Sequence, residues 1–454
     1  MNTFARSLKT LSLCALLASS AVYADRASDV VTAISDWNSW LSSADRTAKY
    51  CKMAASPFIF YRGSNHLFWD DFAGDSRLNQ FGSSDTRTWL QGDLHAYNFG
   101  AYDNDNGTVI YDFNDFDESM VADYQYDVWR MAASLVLIAR ENGDLSRSSQ
   151  ETMIDAFSEA YLDAMAAYRG NNNETTTEFT KSNTYGQLDD FLADVAAKNS
   201  RAEMLDEWTV KVSGVRKFNL TLSDFAAASS SEKSALIAAM ASYGTTLSGG
   251  LSYSSAYFKV KDIARRLDAG TGSLGTPRYY MLIEGASSSQ DDDRILDIKR
   301  QGKPTPYVYL GSSAQQTYNA SFYNDAQRHA LAYLATTAHT DDHLGWMLLS
   351  DGAYSVRERS PFKKSFDTVA LDSTTSFNNL AEQWGTVMAT AHARADQDFS
   401  TAFVSKSVDK QIDDLTNGYH SQFRSLVRSI AFSYADQVES DWQVFVNQLA
   451  PTCP

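Results

Sequence analysis

The chain has 454 residues and carries 56 acidic against 39 basic side chains, a formal net charge of −17 at pH 7. Binding to a nucleic-acid backbone needs a basic face, and no basic stretch is visible, so this composition argues against a nucleic-acid partner. Aromatic residues make up 13% of the chain and only 7 residues are proline, which is typical of an ordered globular protein.

The first 24 residues have the pattern of a secretory signal peptide. Basic residues precede an apolar run from Leu11 to Val22, and the expected cleavage site follows Ala24, just before Asp25. A buried first helix is the alternative. Cys14 follows Leu13, where a lipoprotein signal has a small residue, so no lipid anchor is expected. No second long apolar run follows, and we expect an exported protein, periplasmic or secreted, without a transmembrane segment.

Two cysteines remain after this processing, Cys51 and Cys453, one near each end of the chain. An oxidising compartment permits a disulfide between them, but the sequence alone permits two free thiols equally well.

Residues 89–118 concentrate oxygen-bearing side chains in one short stretch, WLQGDLHAYNFGAYDNDNGTVIYDFNDFDE. No Lys or Arg lies between Gly92 and Glu118, so these acids repel one another unless a positive group sits among them. The pattern indicates a cation site, with a solvated acidic loop or a structural calcium site as the alternatives. An EF-hand loop does not fit, because Tyr102 stands where its first acidic ligand belongs.

The pair Asn106-Gly107 predicts a type I′ hairpin turn between two short strands, because both central residues of that turn need positive φ. Such a hairpin would bring Asp93, Asn98 and Asp112 to one point. Carboxylate and amide oxygens in this arrangement suit Mg²⁺ or Mn²⁺.

The remaining chain predicts helices, then a small sheet, then helices again. Apolar residues at helical spacing predict helices over 148–169, 187–198 and 231–241. After residue 258, β-type runs alternate with Gly-rich or Asp-rich turns, which predicts a small antiparallel sheet. Further elements are predicted as a helix over 324–339, a strand over 353–358, and two late helices over 378–395 and 409–449.

The segment GDLHAYN resembles the catalytic loop of aminoglycoside- and choline-kinase-like enzymes, whose motif is Gly-Asp-x-His-x-x-Asn. The resemblance implies that Asp93 orients or deprotonates the acceptor hydroxyl and that Asn98 is a metal ligand. It further implies that Asp112, in DFN, takes the place of the metal-binding Asp of Asp-Phe-Gly. His95 would support the loop as a structural donor, and Asp127, in DYQYDVWRMAAS, would brace it.

Phosphate-binding parts come first in such kinases but come later here. The segment GTGSLG supplies Gly270, Gly272, Ser273 and Gly275 between two β-type runs, and Lys299 follows on the next strand. A lone Gly-rich turn or an isolated strand lysine is weak evidence, and their combination is stronger. The following helix offers no Glu in a convincing position to pair with Lys299.

The order of these parts is the order of a small-molecule kinase that has been cut just before its catalytic loop and joined at its old ends. A circular permutation of this kind would place the new termini close together, where a bond between Cys51 and Cys453 could join them. The motifs that carry the resemblance are spread over most of the mature chain: KMAASPFIFYRG, GDLHAYNFG, FNDFDE, VKDIARRLDAGTGSLGTPRYYMLIEG, ILDIKR, VRERSPFKKS and AHARA. Together they resemble the bacterial family called domain of unknown function 2252.

The resemblance implies an α+β, kinase-like fold of two lobes. Residues 25–255 would form a mainly helical lobe with the catalytic loop, residues 256–360 a sheet lobe with the Gly-rich loop and the lysine, and residues 361–454 helices that return to the larger lobe. Further basic residues are expected either to form a positive rim for phosphates or to pair with the many acids: Arg62, Arg357, Arg359, Lys363 and Lys364.

Three functions follow as hypotheses. The first is an exported phosphotransferase that uses Mg²⁺ or Mn²⁺ and transfers a phosphoryl or nucleotidyl group from ATP or another nucleotide to an unknown acceptor. The second is a pseudokinase-like protein that binds a nucleotide or another ligand at the envelope without turnover. The third and weakest is a metal-dependent phosphoesterase, which has the Asp-x-His spacing of Asp93 and His95 but also needs later His motifs that are missing here.

Overall fold

The computed structural model describes residues 25–143, 145–267 and 270–453, and it has the predicted α+β composition. The predicted signal peptide lies outside the described residues. Helices form most of the structure: α1 (25–37), α2 (Ser43–Ala54), α3 (Pro57–Gly63), α4 (Asn65–Phe72), α5 (Gln125–Asn142), α6 (Arg147–Tyr168), α7 (Gln187–Lys198), α8 (Arg201–Trp208), α9 (Ser230–Gly244), α10 (Ser312–Ser321), α11 (Asp325–Thr336), α12 (Thr374–Arg394), α13 (Gln397–Ser400), α14 (Val408–Thr416) and α15 (His420–Gln448). In the described chain, no helix combines the length and apolarity needed to cross a bilayer.

The strands are short and pair in antiparallel fashion: β1 (Arg87–Leu90), β2 (Phe99–Asp103), β3 (Val109–Phe113), β4 (Met120–Asp123), β5 (Thr209–Val212), β6 (Val215–Phe218), β7 (Phe225–Ala227), β8 (Val260–Arg266), β9 (Arg278–Ile283), β10 (Arg294–Gln301), β11 (Gly345–Leu349) and β12 (Gly352–Glu358). Six of them form one sheet in the order β11-β12-β10-β9-β8-β7. The pairs β1–β4, β2–β3 and β5–β6 form small separate sheets.

One face of the large sheet packs in an apolar cluster, and the opposite face carries charged side chains on β10, because side chains alternate along each strand. We call this second face the polar face, although part of it also packs apolar side chains. On β10, Leu296 and Ile298 are buried in a cluster with Leu236 and Met240 of α9. Asp297 and Lys299 therefore lie on the opposite face. The prediction of a small antiparallel sheet around the strand lysine is confirmed.

The sheet begins earlier in the chain than residue 256, the predicted start of this lobe. Its edge strand is β7, and Phe225 of β7 packs with Phe218 and with Leu205 of α8 against Tyr280 and Leu282 of β9. The segment from α8 to α9 thus packs with the sheet. Its short strands carry few alternating residues, which is why the sequence pattern showed only helices here.

The predicted hairpin between β2 and β3 is confirmed, but its turn is not type I′. The strands pair from Phe99 opposite Phe113 to Asp103 opposite Val109. Gly107 has φ of +75°, whereas Asn106 is not in the left-handed region. The longer connection is closed by Asn104 instead, whose Oδ1 accepts from the main-chain N of residues 106 and 108 at 3.0 and 2.9 Å.

The helical core is built around α6 and α12, which lie against each other along their lengths. Gly385 permits this approach, since a Cβ there would lie 2.3 Å from the Phe157 carbonyl oxygen. The predicted helices over 148–169 and 187–198 match α6 and α7 closely. The single helix predicted over 409–449 is wrong, because Gly418, with φ of +80°, separates α14 from α15.

A disulfide joins Cys51 of α2 to Cys453 near the end of the chain, with a Cα–Cα distance of 5.6 Å. Its sequence separation of 402 residues makes it a tie between the two ends of the described chain. Such a tie stabilises the folded state because it restricts the unfolded chain.

Replacing Cys51 and Cys453 together with Ser should lower the free energy of unfolding by about 2–4 kcal/mol. Denaturant unfolding of the variant and the oxidised wild type measures the difference, and the wild type after reduction should unfold like the variant. An unchanged midpoint in the double variant would show that the bond contributes nothing to stability.

Candidate active site

A cleft of about 520 Å³ lies between the polar face of the large sheet and the loop that precedes β2. It brings together most of the residues that the motifs predicted: Asp93, His95, Asn98, Gly270, Gly272, Ser273 and Lys299. Three predicted residues do not line it, namely Asp112, Asp127 and Gly275.

Asp93 is held at the floor of the cleft by a buried arginine from α5. Arg130 donates from Nε to Asp93 Oδ1 at 2.9 Å and makes a second, shorter bond from Nη2 to the same oxygen. Because both bonds use Oδ1, Oδ2 remains available as an acceptor for a ligand. Burial raises the pKa of Asp93 to about 7, and the charge of Arg130 opposes that rise. A carboxyl group whose pKa lies near neutral pH has the basicity that general-base catalysis needs.

Asp127 lies behind the cleft and fixes the loop that carries Asp93. Its two carboxylate oxygens accept from the main-chain N of Gln91 at 2.6 Å and of Gly92 at 3.0 Å. His392 Nε2 lies 3.2 Å from one of these oxygens. The geometry is that of a brace, since two buried N–H groups depend on one side chain. His95 is buried beside the loop, with its Nε2 4.0 Å from Asp93 Oδ2.

The structure places Asp112 away from the cleft. Its Oδ1 accepts from the main-chain N of Phe113 at 2.8 Å, and its Oδ2 lies 3.7 Å from Arg394 Nη1. Asp115, three residues further on, lines the cleft. The strand β3 ends at Phe113, so only the loop beyond it reaches the ligand space. The sequence DFNDFDE contains two Asp-Phe pairs, and nothing in its local pattern distinguishes them.

Lys299 has a carboxylate partner that the sequence did not reveal. Its ammonium group forms an ion pair with Asp117 Oδ2, and Gln301 Nε2 donates to Asp117 Oδ1 at 2.8 Å. Although burial opposes ionisation, Lys299 and His329 hold the pKa of Asp117 well below its usual range. The pair ties the sheet to the loop after β3.

A second arginine binds main-chain oxygens of the loop after β3. Arg328, fully buried on α11, donates to the main-chain oxygens of Ser119 and Asp117, each at 2.7 Å, and of Phe116 at 3.2 Å. The helix α11, which has no glutamate to pair with Lys299, thus supplies an arginine that binds main-chain carbonyl groups.

The Gly-rich loop is held by α2. Lys49 Nζ donates to the Gly272 carbonyl oxygen at 3.2 Å, and burial lowers the pKa of Lys49 to about 8. A Cβ at Gly275, where φ is +87°, would lie 2.5 Å from Leu41 Cδ2. Nothing in the sequence indicated this role for Lys49, because Lys49 lies in no motif and its partner is 223 residues away along the chain.

The cleft contains oxygen donors that suit a hard cation. Asn98 donates from Nδ2 to the Asp93 carbonyl oxygen at 2.9 Å, which leaves its amide oxygen available. One carboxylate oxygen of Asp115 accepts from the main-chain N of Asp117 at 3.2 Å, and the other remains for a ligand. Both oxygens of Asp117 are already engaged. Mg²⁺ in such sites is held by one or two protein ligands together with substrate phosphates, so Asn98 and Asp115 fit it.

Two clusters of His and acidic side chains in the described chain are close enough to share a metal ion, and both lie outside this cleft. Their members are Glu159, Asp163 and His420 in one case, and Asp341, His343 and Glu358 in the other.

The chain matches the model of a family described as uncharacterized protein conserved in bacteria (DUF2252) over residues 44–448. No curated protein and no solved structure matches the chain. The family match covers most of the 454 residues. The resemblance drawn from the motifs is therefore confirmed at the level of the family, and the chain belongs to the bacterial DUF2252 family.

Proposed function

We propose that this protein is an exported, metal-dependent phosphotransferase with a circularly permuted, kinase-like fold. The observation that carries the proposal is the meeting of distant motifs: Gly270, Gly272 and Lys299 line the same cleft as Asp93 and Asn98. Chance would not bring a Gly-rich loop, a strand lysine and an Asp-x-x-x-x-Asn loop to one place so readily. The disulfide between Cys51 and Cys453 supports the permutation, because a permuted chain is expected to have its new termini close together.

The relative placement of the parts agrees with phosphoryl transfer in protein kinases. In those enzymes a Gly-rich loop covers the phosphates and the lysine lies on the third strand of the same sheet. Here the loop joins β8 to β9, and Lys299 lies on β10, the next strand. Asn98 and Asp115 take the roles of the two metal ligands, so we propose Asp115 in place of Asp112.

Each residue then has one task. The acceptor hydroxyl donates its hydrogen bond to Asp93 Oδ2 and transfers its proton there as its oxygen attacks phosphorus. Arg130 keeps that carboxylate in position, and Asp127 keeps its loop in position. Lys299 and the main-chain N–H groups of the Gly-rich loop bind phosphate oxygens. A metal ion bound by Asn98 and Asp115 would neutralise phosphate charge.

A binding protein without turnover is the second candidate, and one observation favours it. Lys299 is already paired with Asp117, and Asp93 with Arg130, so both charges are neutralised without a ligand. The predicted export also favours a binding protein without turnover, because ATP is scarce outside the cytoplasm. Turnover measurements separate the two candidates, since both bind a nucleotide.

Replacing Lys299 with Met should weaken metal-dependent nucleotide binding about tenfold or more, the equivalent of about 1.4 kcal/mol for a lost charge-assisted contact. The measurement is the rise in melting temperature with ATP and other nucleotides, with and without Mg²⁺ or Mn²⁺, because a ligand at 100 times its Kd stabilises by about 2.7 kcal/mol.

The matched control is Lys259→Met, which makes the same change on an exposed lysine just before β8. It should bind nucleotides like the wild type. If no nucleotide raises the melting temperature of the wild type with either metal, the phosphotransferase proposal is wrong, and a protein that binds another ligand without turnover is favoured.

A further inference from the structure

Next to the cleft lies a second cavity of about 310 Å³, and its inner wall is basic. The wall is formed by Asp297 of β10, Arg357 of β12, and Arg359 and Lys363, which follow β12. Arg278 of β9 lies beside them, bonded to Asp297 from Nε at 2.7 Å and from Nη2. We call Arg278, Arg357, Arg359 and Lys363 the cation cluster.

The cation cluster has more positive charge than its surroundings balance. Arg278 is paired with Asp297, but Arg357 donates to the Asn114 carbonyl oxygen at 3.1 Å and Arg359 to that of residue 360 at 2.7 Å. Among the described residues, no carboxylate forms an ion pair with Lys363. Burial and the neighbouring arginines lower the pKa of Lys363 well below its usual value. Within the part of the chain that the structure describes, Arg278 is the one member of the cation cluster that forms an ion pair, and its partner is Asp297. A bound anion would supply counter-charge to Arg357 and Arg359 and would favour the protonated form of Lys363.

The cavity is also lined by acidic side chains outside the cation cluster, namely Asp103, Asp105, Asp341, Asp342 and Glu358. Glu358 pairs with Arg201, with Arg294 at 2.9 Å and with His343 at 3.3 Å. His343 also lies 3.1 Å from Asp341. Among the described residues, none of these acids forms an ion pair with a member of the cation cluster.

The cation cluster continues the polar sheet face that carries Lys299. Arg278 lies directly opposite Lys299 in the pairing of β9 with β10, and Arg357 lies directly opposite Asp297 in the pairing of β10 with β12. Residues opposite each other in antiparallel strands share a face. On the other wall, Asn114 lines the basic cavity while its neighbour Asp115 lines the cleft. The two spaces thus lie side by side along one sheet face, which is the arrangement that a chain of phosphates occupying both would need.

We propose that the cation cluster binds the β- and γ-phosphates of a nucleoside triphosphate whose α-phosphate lies between Asp93 and Asp115, so that the protein transfers a nucleotidyl group and releases pyrophosphate. This rests on the proposed nucleotide-dependent function and specifies its reaction. A nucleobase in this place would leave these half-buried cations without counter-charge, whereas two phosphates supply it. The base then lies at the cleft side, where Trp37 and Trp40 are among the lining residues.

The reaction balances without another reactant. The acceptor oxygen forms a bond to the α-phosphorus, and the bond from that phosphorus to the oxygen bridging to the β-phosphorus breaks. The hydroxyl proton moves to Asp93, and the electron pair leaves with pyrophosphate. The cation cluster stabilises the charge that develops on that leaving group.

The binding test uses pyrophosphate itself, measured by calorimetry with the full chain. Pyrophosphate should bind the wild type, and Lys363→Met should weaken pyrophosphate and ATP at least tenfold while leaving AMP within twofold. Lys364→Met, the same change on the exposed neighbour, is the matched control and should change none of these affinities. Lys363→Met should melt like the wild type, because its ammonium group makes no ion pair to lose. Unchanged pyrophosphate affinity in Lys363→Met, or an equal loss for AMP, overturns the proposal.

The product test distinguishes this proposal from the function on which it rests. With ATP labelled at the α- or the γ-phosphate, we expect the α-label on the acceptor, or on the protein itself, and pyrophosphate in solution. Transfer of the γ-label with release of ADP would overturn the placement of the phosphates and leave the phosphotransferase proposal intact. Absence of any metal-dependent nucleotide binding would instead overturn the proposed function.

Discussion

Asp93→Asn should lower nucleotide turnover by about 10²–10⁴-fold, the usual contribution of a general base, while nucleotide affinity stays nearly unchanged. Asn keeps an oxygen that can accept from Arg130, so the loop stays in place, but it cannot take the acceptor proton. Turnover is measured as nucleotide consumed with a pool of acceptors, and affinity by the metal-dependent melting shift. A wild type that binds nucleotide and never consumes it would favour the binding protein without turnover.

Asp115→Asn and Asp112→Asn form a matched pair for the metal site. Both make the same change on the loop or strand around Phe113, but only Asp115 lines the cleft. We expect Asp115→Asn to weaken metal-dependent nucleotide binding about tenfold or more, and Asp112→Asn to leave it unchanged. If only Asp112→Asn weakened this binding, Asp112, the residue that the motif indicated, would be the metal ligand.

Local patterns in the sequence were sufficient for the elements whose residues interact with near neighbours. The helix α6 matches its prediction because its apolar residues recur at helical spacing and Ser146 caps its first turn. The hairpin of β2 and β3 was predicted from the pair Asn106-Gly107 between two short strands, and Gly107 has the positive φ that this signal requires.

Long-range contacts explain what the sequence could not predict. The choice between Asp112 and Asp115 depends on where β3 ends, and the partner of Lys299 lies 182 residues away. Both are set by how the sheet sits on the loop after β3. The arginine of α11 illustrates the same limit: Arg328 has no motif, yet it fixes three carbonyl groups of that loop.

The acidic stretch from residue 89 to residue 118 is tolerated because its positive partners come from elsewhere in the chain. Arg130 supplies the charge beside Asp93, and Lys299 supplies the charge beside Asp117. Asp115 has no such partner in the described chain, although Arg357 is close enough to sense its charge. Asp115 thus lies in the cleft without a paired basic side chain among the described residues, at the place where we propose that a cation binds.

The second large effect is expected at the loop that carries Asp93. Gly92 has φ of +83°, and a Cβ there would lie 2.1 Å from the Glu118 carbonyl oxygen. Gly92→Ala should lower the free energy of unfolding by about 2–4 kcal/mol. The alanine must adopt a left-handed backbone conformation, and its Cβ must push two main-chain segments apart. Because residue 118 follows Asp117, the displacement should also separate Asp117 from Lys299 and weaken nucleotide binding. Thermal or denaturant unfolding and the nucleotide melting shift measure the two losses.

Gly107→Ala is the control that isolates the close approach. Gly107 has φ of +75°, nearly that of Gly92, but no atom lies within 4 Å of the position its Cβ would take. Its replacement should therefore cost only about 1 kcal/mol of stability and leave nucleotide binding unchanged. If Gly92→Ala and Gly107→Ala lost equal stability, the loop would be free to move away from residue 118. The close packing of Gly92 against Glu118 would then not be what fixes the position of Asp93 in the cleft.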